Sequence, residues 1–342
     1  MLIAMADDGI AFDGRTPERA PLGGAEGAFV SLAEGFAARG HRVLVRNRCD
    51  AAMTHKGVEW APLDASPPPR ADLYIANRGD RLIGRVGARR GVFWIHNPGR
   101  YLAKPRYVLA LARHRPVIVT LGPHHAASVP WWMPSGGRAV IPYGLAEIFR
   151  GLRPPRAPPP PRAIFTSNPL RGLDWLLALW ERRIFPAVPG AELHLYCGPA
   201  VYGAAGDAKS GAMAAVLARA DTLAGKGVRR HAPVPRAELV GALEASRAML
   251  YRGDDGETFC LAVAEAQAVG VPAVVQDRGA VAERVIDGET GAVANDDASF
   301  AAAAIALLAD DALWRRWHES SLARQKGSSW DDVAARFEAL VA

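Results

Sequence analysis

Short apolar runs alternate with longer segments of helical periodicity along most of this chain. Residues 2–5 and 43–45 are such runs, and the segment between them has apolar residues at helical spacing, namely Ala28, Phe29, Leu32, Ala33 and Phe36. An apolar run this short, placed between polar or glycine-bearing loops, predicts a buried parallel strand. Further strands are predicted at residues 73–76, 92–95, 117–120, 163–166, 193–196 and 271–275. The alternation predicts an α/β fold with doubly wound sheets.

A proline-dense segment interrupts this alternation near the middle of the chain. Residues 151–162 read GLRPPRAPPPPR, a composition that suits neither a helix nor a sheet and favours a stiff linker. We therefore predict two domains, residues 1–150 and 163–327, joined by the linker 151–162. Helices in the second domain are predicted at residues 173–183, 204–223, 235–246, 258–267 and 298–308.

Composition excludes several classes of protein. Half of the residues are apolar, which is enough for packed cores, and neither a long apolar span nor a basic and then apolar leader occurs. We therefore expect a cytoplasmic protein without a transmembrane helix. The three cysteines, Cys49, Cys197 and Cys260, are far apart and lack metal-ligand spacing, so we expect free thiols. No Asp-x-Asp sequence occurs, and no metal site is predicted.

Positive charge is concentrated in the first domain. Residues 1–150 hold 20 Arg and Lys against 12 Asp and Glu, and the remainder holds 21 against 23, which gives +8 and −2 and the total of +6. A basic first domain suits an anionic acceptor or a peripheral contact with the anionic inner face of a membrane. The alternative is that abundant arginines are simply solvated. No contact with nucleic acid is predicted.

The stretch of residues 251–275, YRGDDGETFCLAVAEAQAVGVPAVV, carries the strongest candidate chemistry. A polar loop enters the helix predicted at 258–267, with Glu257 at its mouth and Glu265 eight positions later, within about 80° around the helix axis. A helix start reached from a loop suits a phosphate, because its first N–H groups lack partners. The alternative is a capping Glu and a surface Glu on an ordinary strand–helix unit.

The string GETFCLAVAEAQAVGVPAVV resembles the donor-site motif of family 4 glycosyltransferases, also described as group 1, with the GT-B fold. This fold has two Rossmann-like doubly wound domains that face each other across a cleft. The resemblance implies that Glu257 contacts hydroxyls of the donor sugar and that Glu265 holds the ribose of the nucleotide. The diphosphate would meet backbone amides at Thr258, Phe259 and Cys260. A tail helix, here about residues 328–342, packs back on the first domain in this family.

Three other segments fit the same family. GGAE, with Gly23 and Gly24, precedes the first long helix, and the family places this loop at the donor phosphates. His96 follows the strand at 92–95, where the family has a His near the transferred sugar; a buried, hydrogen-bonded His is the alternative. IPYG at 141–144 resembles the family's IPNG turn, with Tyr143 in place of Asn.

Cations for the diphosphate are expected from two loops of the second domain. Arg171, in the loop that Ser167 opens, stands at the start of a predicted helix, where a cation is unfavourable unless an anion lies nearby. Its planar guanidinium suits phosphate oxygens. The family has a second basic residue near this place, and Arg252 is the candidate for it here.

The resemblance implies a retaining glycosyltransferase that uses a nucleotide-diphosphate sugar, UDP- or GDP-linked, and a sugar or lipid-linked sugar as acceptor. Glu257, His96 and Arg171 are the predicted catalytic residues, and surface polysaccharide or glycolipid synthesis is the expected context. No further cofactor is predicted. Three rivals stay open: a nucleotide-sugar epimerase on the same fold, a non-catalytic nucleotide-sugar-binding protein, and a dinucleotide oxidoreductase, although the last lacks its glycine fingerprint.

Overall fold

A computed structural model describes residues 1–66, 68–198 and 210–341, which form two compact units. The first unit runs from Met1 to Gly144 and also includes the chain from Ser328 onward, and the second unit is Leu145–Gly327. The division therefore lies upstream of the segment predicted as a linker, and residues 151–162 belong to the second unit.

The first unit is built on an eight-stranded sheet in the order β3-β4-β2-β1-β5-β6-β7-β8. All neighbours are parallel except β3 and β4, and the apolar runs become strands because their side chains are buried. The strands are β1 Leu2–Asp7, β2 Arg42–Asn47, β3 Met53–His55, β4 Val58–Pro62, β5 Ala71–Asn77, β6 Ala88–Trp94, β7 Val117–Thr120 and β8 Arg138–Val140.

Helices cover both faces of this sheet, and one of them comes from the C-terminal part of the chain. They are α1 Thr16–Arg19, α2 Gly24–Ala38, α3 Pro105–His114, α4 Pro123–Ala127 and, after the second unit, α13 Trp330–Glu338. Phe337 of α13 packs edge-on against Phe36 of α2 and Trp94 of β6. These apolar contacts place the tail helix in the core of the first unit.

The second unit has a six-stranded parallel sheet in the order β11-β10-β9-β12-β13-β14. Its strands are β9 Arg162–Phe165, β10 Glu192–Tyr196, β11 Val228–His231, β12 Ala248–Tyr251, β13 Ala273–Gln276 and β14 Gly291–Ala294. Its helices are α5 Glu147–Arg150, α6 Leu173–Leu179, α7 Phe185–Ala187, α8 Ser210–Thr222, α9 Arg236–Glu244, α10 Leu261–Ala268, α11 Asp297–Ala309 and α12 Asp311–Arg324. A π turn, Trp180–Ile184, joins α6 to α7. The first part of the helix predicted at 204–223 lies outside the described residues.

The proline-dense segment packs on the second unit instead of spanning free solvent. The guanidinium of Arg156 donates to the carbonyl oxygens of Glu244 and Val269, and its main-chain N–H donates to His318 Nε2 at 3.0 Å. Arg153 pairs with the carboxylate of Glu244 at 2.6 Å. The segment has no regular structure, as its prolines require, yet its arginines attach it to the helices beneath it.

No helix within the described residues is long and apolar enough to cross a membrane.

Candidate active site

The strand order of the second unit reverses at one place, between β9 and β12. β9 lies at the centre of the sheet, and the chain leaves it toward β10 on one side and returns to β12 on the other. Loops that follow the carboxyl ends of two such strands are adjacent, and open α/β sheets bind ligands there. The loop after β9 carries Arg171, and the loop after β12 carries Glu257.

These two predicted residues form an ion pair. Arg171 Nη1 donates to Glu257 Oε2 at 2.5 Å, across 86 positions of sequence. Glu257 is nearly buried, whereas 38% of the Arg171 side chain is exposed. The anion that Arg171 requires at this position is thus supplied, in part, by the protein itself.

A third side chain completes the cluster. The Tyr251 hydroxyl, at the carboxyl end of β12, donates to the same Glu257 Oε2 at 2.8 Å. The Ser167 side chain lies within hydrogen-bonding reach of Tyr251. Burial, reinforced by the negative charge of Glu257, raises the pKa of Tyr251, so its hydroxyl keeps its proton and acts as a donor.

Arg171 is firmly cationic. Burial disfavours its charge, but the negative charges of Glu257 and Asp254 outweigh burial and raise the pKa of the guanidinium. Of its five N–H donors, only one is used in the contact with Glu257. A guanidinium in this state can receive a second anion without giving up its first partner.

Glycines let the surrounding loops approach Glu257 closely. Gly279, after β13, has φ +60°, and a Cβ there would lie 2.2 Å from the Asp254 carbonyl oxygen and 3.0 Å from Glu257 Cβ. The next residue, Ala280, donates its N–H to the Glu257 carbonyl oxygen at 3.0 Å. The loop after β13 therefore fixes the main chain that carries Glu257, and only glycine fits there.

Two further arginines stand close to this cluster. The Arg252 Cβ would lie 3.2 Å from a Cβ at Gly172, directly beside Arg171, while its guanidinium lies over the Trp175 ring at 4.9 Å and donates to Gln276 at 3.1 Å. Burial and the charge of Arg278 lower the pKa of Arg252. Arg278, which the sequence did not single out, thus adds a third cation, and its Nε lies 3.3 Å from Asp255.

The helix expected at residue 258 begins later. Cys260 caps α10 with φ +68°, a left-handed conformation, and the first helical residue is Leu261. Thr258 and Phe259 are therefore in the loop, and Arg284 lies over the Phe259 ring at 4.4 Å. The helical argument that placed Glu257 and Glu265 within about 80° does not hold, because Glu257 precedes the helix. Burial raises the pKa of the Cys260 thiol, which stays protonated.

Glu265 lies in the middle of α10 and has a partner of its own. Its Oε1 is 3.1 Å from Arg236 Nε at the start of α9, and its side chain is nearly buried. Burial raises the pKa of Glu265, and Arg236 only partly offsets this. A ribose hydroxyl would share this carboxylate with Arg236; the role predicted for Glu265 stays a prediction.

In the first unit, the predicted glycines cap a helix. Gly23 is the N-cap of α2 and Gly24 its first residue. Glu26, in the first turn, is buried and pairs with Arg78 at 2.7 Å. Arg78 also pairs with Asp7 at 2.8 Å, and Asp7 is fully buried.

His96 belongs to the same polar network. Asn77 donates to Asp7 at 2.5 Å and faces His96 Nε2 at 2.5 Å through its side-chain oxygen, while the Tyr143 hydroxyl contacts His96 Nδ1. These partners require a neutral ring with the proton on Nε2, and burial, with the charge of Arg78, lowers the pKa of His96 well below its ordinary value. A substrate would have to displace Asn77 or Tyr143 to reach a ring nitrogen, so the catalytic role of His96 stays a prediction.

The structure thus joins some of the predicted residues and leaves others apart. Arg171, Glu257 and Ser167 meet in the second unit, with Arg252 beside them, whereas Gly23, Gly24 and His96 belong to the first unit. Tyr251 opens the motif stretch, but no role was predicted for it from the sequence. Its position at the carboxyl end of a central strand was the signal that could have found it.

Comparisons with known proteins agree with this architecture. Residues 161–310 match the family model described as Glycosyl transferases group 1. No curated protein sequence matches the chain. Sucrose-phosphate synthase from Thermosynechococcus elongatus has TM-score 0.73 at 19% identity, over 99% of this chain and 98% of that one.

Two more solved structures have the same fold. HepE from Anabaena, in complex with UDP and glucose, has TM-score 0.71 at 14% identity, over 99% of this chain and 98% of that one. WaaG, a glycosyltransferase involved in lipopolysaccharide biosynthesis, has TM-score 0.63 at 14% identity, over 98% of each chain. Residues 161–310 thus match group 1 glycosyltransferases, and the whole chain has the GT-B fold of these solved structures.

Proposed function

We propose that this glycosyltransferase is a retaining enzyme that moves a sugar from a nucleotide-diphosphate sugar to a hydroxyl acceptor. The observation that carries the proposal is the pairing of Arg171 with Glu257 in the loops where the strand order of the second unit reverses. A partly exposed arginine beside a nearly buried carboxylate offers one group for an anion and one for hydroxyls.

The diphosphate is the leaving group, and its negative charge grows as the bond to the sugar breaks. We assign Arg171 to this charge, with Arg252 and Arg278 as neighbouring cations and the main-chain amides of residues 258–260 as further donors. Positioned donors of this kind stabilise a developing anion more than the same groups in water, because they need no reorganisation.

Glu257 is assigned to the transferred sugar. Its hydrogen bonds to Arg171 and Tyr251 both end on Oε2, so we assign Oε1 to a sugar hydroxyl. Tyr251 and Arg171 hold the carboxylate in one orientation, which is the geometric requirement for positioning a substrate. Glu265 is assigned to the ribose of the nucleotide, and His96 keeps its predicted place near the sugar.

UDP is the first nucleotide to test, because the HepE structures hold UDP and UDP-glucose; GDP is the second. The leaving phosphate is proposed to help deprotonate the acceptor, so no protein base is assigned. The acceptor is proposed to be a sugar or a lipid-linked sugar of a surface polysaccharide or glycolipid.

Melting temperatures with UDP, GDP, ADP and TDP test the donor site, because a ligand that binds only the folded state raises the melting temperature. One nucleotide should stabilise the wild type, by about 2.7 kcal/mol at a concentration of 100 Kd. Arg171→Ala should lose this shift, and Arg182→Ala, an exposed arginine of the same unit, should keep it.

Incubation with the matching donor sugar then separates the reaction classes. Release of the free nucleotide, dependent on an acceptor, supports transfer. An isomerised donor sugar without release of the nucleotide would instead identify an epimerase. Binding of the nucleotide without either reaction would indicate a non-catalytic binding protein. If the nucleotide still raises the melting temperature of Arg171→Ala, the proposed donor site is contradicted.

A further inference from the structure

A long segment between β5 and α5 carries positive charge and no acidic residue. Residues 81–146 contain ten arginines and lysines and no aspartate or glutamate, and the bounding acids are Asp80 and Glu147. Ordinary surfaces intersperse both signs. A segment of this length with one sign of charge therefore points to an anionic partner.

Two parts of this segment, α3 and residues 129–133, form one layer on the sheet of the first unit. Tyr107 and Leu111 of α3 pack in the same core as Val129 and Met133, against Phe93 of β6. The next residue of β6, Trp94, points to the opposite face of the sheet, where it meets α13. The helix α3 and the 129–133 segment thus cover the same face of the sheet and present their outer sides to solvent together.

The outer side of α3 mixes cations with an apolar side chain. Arg106, Leu109 and Arg113 recur at the helical spacing of three and four residues, and all three are exposed. Leu109 is 70% exposed. Arg106 has one acidic neighbour, Asp80 at 3.4 Å. Among the ion pairs within the described part of the chain, none uses Arg113.

A turn beside α3 holds two tryptophans in solvent. Trp131 is 88% exposed and Trp132 is 48% exposed. The Arg138 guanidinium donates to the carbonyl oxygens of Pro130 and Trp131, at 2.7 and 3.0 Å, and so fixes the turn. The tryptophans are therefore exposed on a turn that hydrogen bonds hold in one conformation.

Main-chain contacts connect this turn to the end of α3. Gly136 donates its N–H to the Pro116 carbonyl oxygen at 3.0 Å, and a Cβ on Gly136 would lie 2.2 Å from the Arg115 carbonyl oxygen. We name as the basic face the exposed side chains of this layer, Arg106, Leu109, Arg113, Arg115, Trp131, Trp132 and Arg138.

We propose that the basic face docks on an anionic lipid surface. Arginines near such a surface are attracted by the negative headgroups, and tryptophan favours the boundary between headgroups and acyl chains, where its ring is half apolar. A nucleic acid would bind the arginines, but it would not explain why Leu109, Trp131 and Trp132 are exposed among them. This contact is independent of the donor site in the second unit.

Vesicle sedimentation tests the contact. The full-length protein should sediment with vesicles of phosphatidylcholine and phosphatidylglycerol at low salt, and should stay in solution with phosphatidylcholine alone. High salt should release it, because ions screen the headgroup charge. Failure to bind the anionic vesicles at low salt would overturn the proposal.

Two variants locate the contact on the basic face. Arg113→Gln with Arg115→Asn should weaken binding about fivefold for each charge removed; asparagine tolerates the positive φ of residue 115, which is 42°. Trp131→Ala with Trp132→Ala should weaken it on the order of tenfold. Both variants should keep the melting-temperature shift given by the nucleotide.

Matched controls lie in the second unit. Arg182→Gln with Arg183→Gln removes two exposed charges, and Leu152→Ala removes an apolar side chain that is 91% exposed. Both controls should bind vesicles like the wild type. If the controls lose as much vesicle binding as the test variants, the assignment to the basic face is contradicted. The assignment is also contradicted if the protein binds duplex DNA as tightly as the vesicles and the tryptophan variant binds that DNA like the wild type.

Discussion

The two units place polar clusters at the same topological position and use them differently. In each sheet the strand order reverses beside a central strand, at β1 and β5 in the first unit and at β9 and β12 in the second. In the first unit this position holds Asp7 and Asn77, which are opposite each other in the strand register. In the second unit it holds Arg171 and Glu257, in the loops beyond the strands.

The difference lies in which groups already have partners. Arg78 bridges the carboxylates of Asp7 and Glu26, while both nitrogens of His96 have side-chain partners. In the second unit the Arg171 side chain is 38% exposed and meets Glu257 through one nitrogen. A closed network fixes the fold around it, and an open pair can accept a ligand. We therefore expect the Asp7–Arg78 pair of the first cluster to control stability and the Arg171–Glu257 pair of the second to control activity.

The largest effect is expected on the rate of sugar transfer when either partner of the Arg171–Glu257 pair is removed. Arg171→Ala and Glu257→Ala should each lower the rate of sugar transfer by about 100- to 1,000-fold, the usual cost of removing a positioned donor to a developing charge. The fold should survive, because both residues lie in loops beyond the ends of the strands. Transfer rates, with circular dichroism as the check on folding, measure this. Full activity in either variant would contradict the proposal that the pair in the second unit controls activity.

A smaller effect, on stability, is expected in the first unit. Asp7→Ala leaves Arg78 half-buried with one partner fewer and should cost about 3 kcal/mol. Loss of one partner of a buried pair is expensive because the remaining charge stays desolvated. Urea unfolding followed by tryptophan fluorescence measures the free energy. Nucleotide binding by the folded variant should stay at the wild-type level. A loss of nucleotide binding in this variant would contradict the separate roles of the two clusters.

Gly279→Ala sharpens the comparison within the second unit. Its added Cβ would lie 2.2 Å from the Asp254 carbonyl oxygen, at a φ of +60°. The loop has to move, so we expect a loss of about 2 kcal/mol in stability, together with weaker nucleotide binding because Glu257 shifts. Gly288→Ala, with φ +74° and open space around it, carries the backbone strain without the collision and is the control. Equal nucleotide affinities in both variants would contradict the claim that Gly279 positions Glu257.

A pH dependence of stability is also expected in the first unit. Burial lowers the pKa of His125 to about 4, partly offset by its hydrogen bond to Asn97, and lowers the pKa of His96 well below its ordinary value. Between pH 4 and 6.5 the unfolded chain binds more protons at His125 than the folded protein does. Stability from these groups is complete above about pH 6.5 and falls as the pH drops, by at most about 1.4 kcal/mol per unit for each histidine.

Urea unfolding at pH 7 and pH 5 measures this loss. His96→Gln should lose less stability between the two values than the wild type, because one titrating group is gone. An unchanged loss would show that His96 is not held neutral by the network.

The sequence was sufficient where local pattern decides the outcome. Short apolar runs became parallel strands, and the strand at 117–120 has the predicted limits. Arg171 and Glu257 were both predicted as site residues, from the dipole at a helix start and from a family motif. Their direct contact was not predicted, because it depends on which strands become neighbours, and pairing across 86 positions leaves no local signal.

Other features depend on tertiary contacts. The segment at 151–162 has the composition of a linker, but Arg153 and Arg156 attach it to the second unit through partners that are distant in sequence. The α10 helix starts at Leu261 because Cys260 adopts a left-handed conformation that propensity does not anticipate for cysteine. Tyr251 received no predicted role, because its contacts with Glu257 and Ser167 depend on which loops the fold brings together.

A crystal structure of the wild-type protein with UDP, or with whichever nucleotide raises the melting temperature most, tests the central claim most directly. The account predicts diphosphate oxygens at about 3 Å from the Arg171 guanidinium, with Glu257 still held by Tyr251. A diphosphate bound elsewhere, with Arg171 and Glu257 paired only to each other, would contradict it.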